Sequence, residues 1–190
     1  MPLVEGPHAD LLRDAVAAEA QGQRALLAGD AGTAGAAMRA AAGLYRASWD
    51  AAPPRSYGRL IGMLKAAVIA EDASEAAAYA REQVGEADSP PSHYVLAMAA
   101  LVTGDDQSAR AAAGGMRAGS PAFGRAADAI EALADRDAGR YAAAVGAIVT
   151  DFEGREEHLT GVPVADTALM LERLAEARGL AAHPASALLP

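Results

Sequence analysis

Four polar corners constrain this chain more than any other feature. Leu27-Ala28-Gly29-Asp30, Ile69-Ala70-Glu71-Asp72, Val102-Thr103-Gly104-Asp105 and Ala134-Asp135-Arg136-Asp137 each close an apolar helical run on an Asp. Four residues beyond each Asp stand Ala34, Ala76, Ala109 and Tyr141, and seven beyond stand Ala37, Tyr79, Ala112 and Ala144, where the next apolar face begins. The Asp residues are 42, 33 and 32 positions apart. A period in this range, with one helix on each side of a tight corner, marks stacked helical hairpins rather than a single bundle. The corner chemistry agrees: a helix end leaves carbonyls unpaired and a helix start leaves amides unpaired, so a short connection wants Gly to turn and Asp to cap.

The predicted class is therefore all-α, a right-handed stack of about four antiparallel helical hairpins with a C-terminal capping helix. The hairpins are expected at about 8–52, 53–88, 90–119 and 121–158, the cap helix at about 163–178 and an irregular tail at 180–190, all in one domain. A first helix should run from His8 or Ala9 to Ala28. Gly22 in its middle costs roughly 0.5 to 1 kcal/mol against Ala, which a close helix approach would justify. The second helix carries Met38, Ala41, Tyr45 and Trp49 on one stripe and stops at Pro53-Pro54, with Trp49 filling the joint between the first two hairpins. Ser89-Pro90-Pro91 and Gly119-Ser120-Pro121 punctuate the later repeats. Val164, Thr167, Ala168, Leu171 and Leu174 form the buried side of the ninth helix, and Leu180, Leu188 and Leu189 can dock behind it.

Charge and composition exclude several functions. The net charge is −9, a surface that repels phosphate backbones and anionic lipid, and the basic residues form no local patch. Fifteen of the sixteen basic residues are Arg; Lys65 is the only Lys, and there is neither Asn nor Cys. Without Cys there are no disulfides, thiol nucleophiles or thiolate metal sites. The opening Met1-Pro2-Leu3-Val4-Glu5-Gly6-Pro7 has no basic stretch followed by an apolar one, and no run is long enough to span a bilayer, so a cytoplasmic location is expected.

The Gly-Asp corner, Ala four residues after the Asp, a small residue eight before it (Gly22, Ala97, Ala129) and Pro121 sixteen after it resemble the tetratricopeptide repeat. The likeness departs from the pattern at Leu64, which takes a small-residue position, and in the first spacing of 42, which implies an insertion near Pro53. It implies an α-solenoid that binds a protein or peptide in the groove lined by the first helix of each hairpin. The carboxylate clamp of one subset of that family needs Lys, Arg and Asn and is not carried over. Leu169-Met170-Leu171, Leu174-Ala175, Arg178-Gly179-Leu180 and Leu188-Leu189-Pro190 are similar to the ending of an all-helical family of bacterial polymorphic-toxin immunity proteins, which implies a toxin partner.

No chemical motif competes with this reading. Asp151, Glu153, Arg155, Glu156, Glu157 and His158 make the richest polar cluster, with Glu153 and Glu157 on one face if the helix continues. The Glu-x-x-His and His-Glu-x-x-His spacings of metal sites are missing, and no second His is near. There is no Gly-x-Ser-x-Gly. Gly29 to Gly35 is glycine-rich but lacks the Lys and the preceding strand of a phosphate loop. The expected function is a non-enzymatic interaction module without cofactor or metal, a monomer or homodimer. Its partner would meet a concave face presenting Val16, Ile61, Lys65, Tyr94, Met98, Phe123 and Ile130. The alternatives are a helical-bundle enzyme or a small-ligand or metal-binding protein whose site leaves no motif, and a closed globule in which the eighth helix or the tail covers that face.

The register makes Ala109 a packing contact. Ala109→Glu would bury a carboxylate between helices and should cost several kcal/mol. Thermal melting checks this, and a midpoint within a degree or two of wild type would show the register to be misassigned.

Overall fold

All four corners share one backbone geometry. In the computed structural model, which describes residues 6–190, the residue before each Asp lies in the left-handed region: Gly29 at φ 75°, Glu71 at 58°, Gly104 at 75° and Arg136 at 57°. The Asp amide then reaches back to an alanine carbonyl, Asp30 to Ala25 and Asp105 to Ala100 at 2.9 Å, Asp72 to Ala67 at 3.0 Å and Asp137 to Ala132 at 2.9 Å. A second bond runs from each left-handed residue to the carbonyl three back, as from Gly29 to Leu26 at 3.0 Å. This double closure satisfies the last carbonyls of the outgoing helix.

Three of the Asp carboxylates also start the next helix. Asp30, Asp105 and Asp137 accept from the amides of Thr33, Ser108 and Arg140, each at 3.0 Å. Asp72 does not, and the helix after it starts one residue later, with Ala73 at its N-cap position and no side-chain cap. The packing position of that corner is consequently Ala77, fully buried, rather than the half-buried Ala76 expected from counting on the Asp. With this correction the cap residues Ala73, Asp105 and Asp137 stand 32 apart.

Nine helices are present among the described residues: α1 Pro7–Leu27, α2 Ala31–Asp50, α3 Gly58–Ile69, α4 Ser74–Val84, α5 Pro90–Thr103, α6 Asp106–Met116, α7 Pro121–Ala134, α8 Ala138–Glu153 and α9 Asp166–Glu176. No strand occurs there, so the protein is all-α. Pro opens α1, α5 and α7, where its missing amide costs nothing. The segment Met1–Glu5, read above for the absence of a leader pattern, lies outside the described residues. No helix of the described residues is long and apolar enough to cross a membrane.

Successive helices pack on one another, and α3 also packs on α5 and α5 on α7. Small residues permit the approach. A Cβ added at Gly22 would stand 2.9 Å from the methyl of Met38 on α2, and one at Gly62 would meet the Tyr45 ring at 2.7 Å. Trp49 stacks on Tyr57 at 5.7 Å between centroids and donates to Gln83 at 3.1 Å, joining α2, the entry to α3 and α4.

The ninth helix is not a simple terminal cap. It begins at Asp166 rather than near 163 and lies against α3, α7 and α8. Tyr141, the one large residue at an alanine position of the corners, is fully buried and donates to Glu172 on α9 at 2.6 Å. Glu172 also accepts from the amides of Ala182 at 3.2 Å and His183 at 2.7 Å, which turns the tail back over the helix. The Leu188 carbonyl takes the Ala165 amide at 3.0 Å, and Leu180, Leu188 and Leu189 pack against the core. Arg178, just past α9, donates to the Leu101 carbonyl at 2.6 Å and to Asp106 at 3.2 Å. The Arg-Gly-Leu and Leu-Leu-Pro endings therefore have packing roles here.

A side chain in the left-handed region costs about 1–2 kcal/mol, part of which Gly gives back through its own flexibility. Arg136→Gly should stabilise the fold by roughly 0.5–1 kcal/mol, a rise of about 1–4 °C in Tm. An unchanged or lower Tm would show that the fourth corner carries no such strain.

Candidate functional site

Polar residues on a buried helix stripe mark the site. Glu19 and Gln23, one turn apart on α1, fall on the side that meets α2 and the core; Glu19 is only 3% exposed. Its carboxylate accepts from the Tyr45 hydroxyl at 2.6 Å and from the Gln23 amide at 3.2 Å. Burial pushes the Glu19 carboxyl above its ordinary value, and the neighbouring Asp166 charge pushes the same way against the Tyr45 bond and Lys65. The Tyr45 hydroxyl is driven upward too, by burial and then by the Glu19 charge.

Lys65, on α3, reaches the first turn of α9, where its ammonium donates to Asp166 at 2.9 Å and to Thr167 at 2.8 Å. Its side chain is 14% exposed and that of Asp166 is 17% exposed. Burial by itself would depress this ammonium, but the Asp166 charge and hydrogen bond, together with Tyr94 and Glu19, outweigh it and hold the pKa above the ordinary lysine value. Being compact, an ammonium can serve two acceptors in a narrow space where the broader Arg fork would not fit.

Beside this network lies Tyr94 on α5, 5% exposed. Its hydroxyl lies beside Lys65 and Asp166 and within reach of Thr167, which pulls its pKa down, but no contact among the described residues has full hydrogen-bonding geometry. The ring meets Phe123 of α7 edge-on, 5.7 Å between centroids. Burial pushes the phenol upward, the Lys65 charge opposing it.

These groups line a half-enclosed cavity of about 290 Å³. Glu19, Lys65, Tyr94 and Asp166 give it a polar floor, and Ile61, Phe123, Phe152, Val162 and Val164 give it apolar walls. The segment between α8 and α9 forms its far side, held to α1 by a hydrogen bond from Thr160 to Gln23. Leu159 stands at the mouth, 79% exposed.

Of the residues expected on a concave face, Ile61, Lys65, Tyr94 and Phe123 come together in this cavity. Met98 and Ile130 are fully buried in the core and take no part in its wall, and Val16 is half-buried against the core elsewhere. Sequence reasoning missed Glu19, Gln23, Asp166 and the 154–165 segment. The available signal was Glu19 and Gln23 continuing the spacing of Ala15 along an apolar stripe.

The acidic cluster after α8 is dispersed. The helix stops at Glu153, so Glu157 does not share its face. Arg155 pairs with Asp151 at 2.6 Å and covers the Phe152 ring at 3.7 Å, while Glu153 accepts from Ser186. Among the described residues no group of three or more His, Asp and Glu side chains is placed to hold a metal ion. Comparison of the chain with family models, curated proteins and solved structures finds no match.

The raised Glu19 carboxyl has a stability signature. Folding favours its protonated form, so its contribution is fully present below the unfolded value of about 4.5 and is lost as pH rises through the higher folded value. Glu19→Gln keeps an acceptor for Tyr45 without the charge. It should melt near wild type at pH 4 and above wild type at pH 7; equal differences at both pH values would mean the carboxyl is not shifted.

Proposed function

We propose that this protein is a non-enzymatic binding module in which a tetratricopeptide-like stack of four helical hairpins, with α9 folded across its inner face, takes a side chain with an apolar body from a partner protein into the cavity. The observation carrying this reading is Leu159, a large apolar side chain left almost wholly in water at the mouth of a cavity with apolar walls. Burying such a side chain against a partner contributes roughly 1.5–3 kcal/mol, and apolar anchors at a pocket supply most of the energy of an interface. An open peptide groove is a poorer fit, because Met98 and Ile130 are inaccessible and α9 occupies the space before α3 and α7. The charge of −9 favours a basic partner, and a toxin held by an immunity protein is one such case.

Two variants at exposed positions test the reading. Ala122→Trp narrows the mouth and Leu159→Asp removes the anchor, and neither changes a core position. With partner recovered from the source cell on immobilised wild type, each variant should bind at least tenfold more weakly, about 1.4 kcal/mol, at unchanged circular dichroism and Tm. Full retention by both variants would end the proposal.

A further inference from the structure

The floor of the cavity carries more negative than positive charge, and one of its hydroxyls lacks a partner. Lys65 and Asp166 match each other at 2.9 Å, which leaves Glu19 with only the neutral partners Tyr45 and Gln23. At the rim, Arg155 and Arg125 share the Asp151 carboxylate. The Tyr94 hydroxyl is buried and unpaired among the described residues, a state that costs about 1–3 kcal/mol unless something supplies the bond. An anion would face the unmatched carboxylate, and a neutral apolar group would bury that carboxylate without compensation. A cation relieves both conditions, since an ammonium has three donors for a carboxylate and a phenol oxygen and has no acceptor.

We infer that the cavity binds a primary amine carried on an aromatic or aliphatic body, its ammonium on the floor at Glu19 and Tyr94 and its body against Ile61, Phe123 and Phe152. The volume of about 290 Å³ is near the lower limit of roughly 300 Å³ for ligand pockets, which suits a compact monoamine and leaves out larger ligands. The aromatic walls add attraction for the cation through their ring faces. The amine is either a free small molecule or the side chain of a partner lysine. This inference deepens the binding reading above and uses the same cavity.

The test is calorimetric titration of the whole protein with three probes of one shape: phenethylamine, 2-phenylethanol and 3-phenylpropionate. The amine should bind at least tenfold more tightly than the alcohol, and the carboxylate should not bind. Ala122→Trp should abolish amine binding. Glu19→Gln should reduce the amine's advantage over the alcohol to less than about threefold, and Tyr94→Phe should weaken the amine several-fold. Selectivity in wild type decides the matter even if the floor variants fold poorly. Absence of amine binding at millimolar concentration, equal or tighter binding of the alcohol or carboxylate, or amine binding unaffected by Ala122→Trp would each overturn the inference. Displacement of recovered partner by phenethylamine identifies a partner lysine as the occupant, and binding without displacement identifies a free amine. Loss of partner with Ala122→Trp in a protein that binds no amine would sink this inference and leave the binding module standing; amine binding with partner retained by both mouth variants would do the reverse.

Discussion

The ion pair between Lys65 and Asp166 ties the first turn of α9 to α3. It does so across 101 residues, in a place where neither charge has much access to water. Such a pair gains little over an apolar contact of the same shape, because desolvation offsets most of the attraction. Losing one member is another matter, since the stranded charge costs about 3–5 kcal/mol. The pair therefore specifies where α9 lies more than it stabilises the fold as a whole. With α9 in that place, the inner side of α3, α5 and α7 becomes core over Met98 and Ile130 and cavity over Lys65 and Tyr94.

The other polar contacts of α9 follow the same logic. Tyr141 could be large at an alanine position because its hydroxyl finds Glu172, and Glu172 spends its remaining acceptor capacity on two tail amides. Arg178 caps the end of α5 from outside, through the Leu101 carbonyl. Each is a buried polar group with a partner from a distant part of the chain, which is how a core this rich in alanine obtains a unique arrangement. Small side chains let helices approach but do little to select one approach over another.

The cavity exists because this covering is incomplete. The 154–165 segment leaves the helix at Gly154, crosses to α1 at Thr160 and returns to α9, and a chain without regular structure does not fill space as a helix does. Leu159 is left outside, and the Tyr94 hydroxyl is left without a partner among the described residues. Both are costs to the isolated fold.

What the sequence determined by itself was local. Helix identity, the four corners and the stops at Pro could be read from period, capping and turn chemistry, because those depend on residues within one turn of each other. Even there the left-handed Glu71 and Arg136 were not foreseen, nor the later cap at Ala73, since any residue can occupy such a turn when the flanking helices are held elsewhere. The inner face was half legible: Ile61, Lys65, Tyr94 and Phe123, expected on one face, line one cavity. Only the tertiary structure decided that Met98 and Ile130 are covered, that Glu19 joins Lys65 and Asp166, and that the cover comes from α9 and the loop before it. Those outcomes depend on contacts between residues far apart in the chain, and pairing of that kind is set by three-dimensional packing and leaves no periodic trace in the order of the residues.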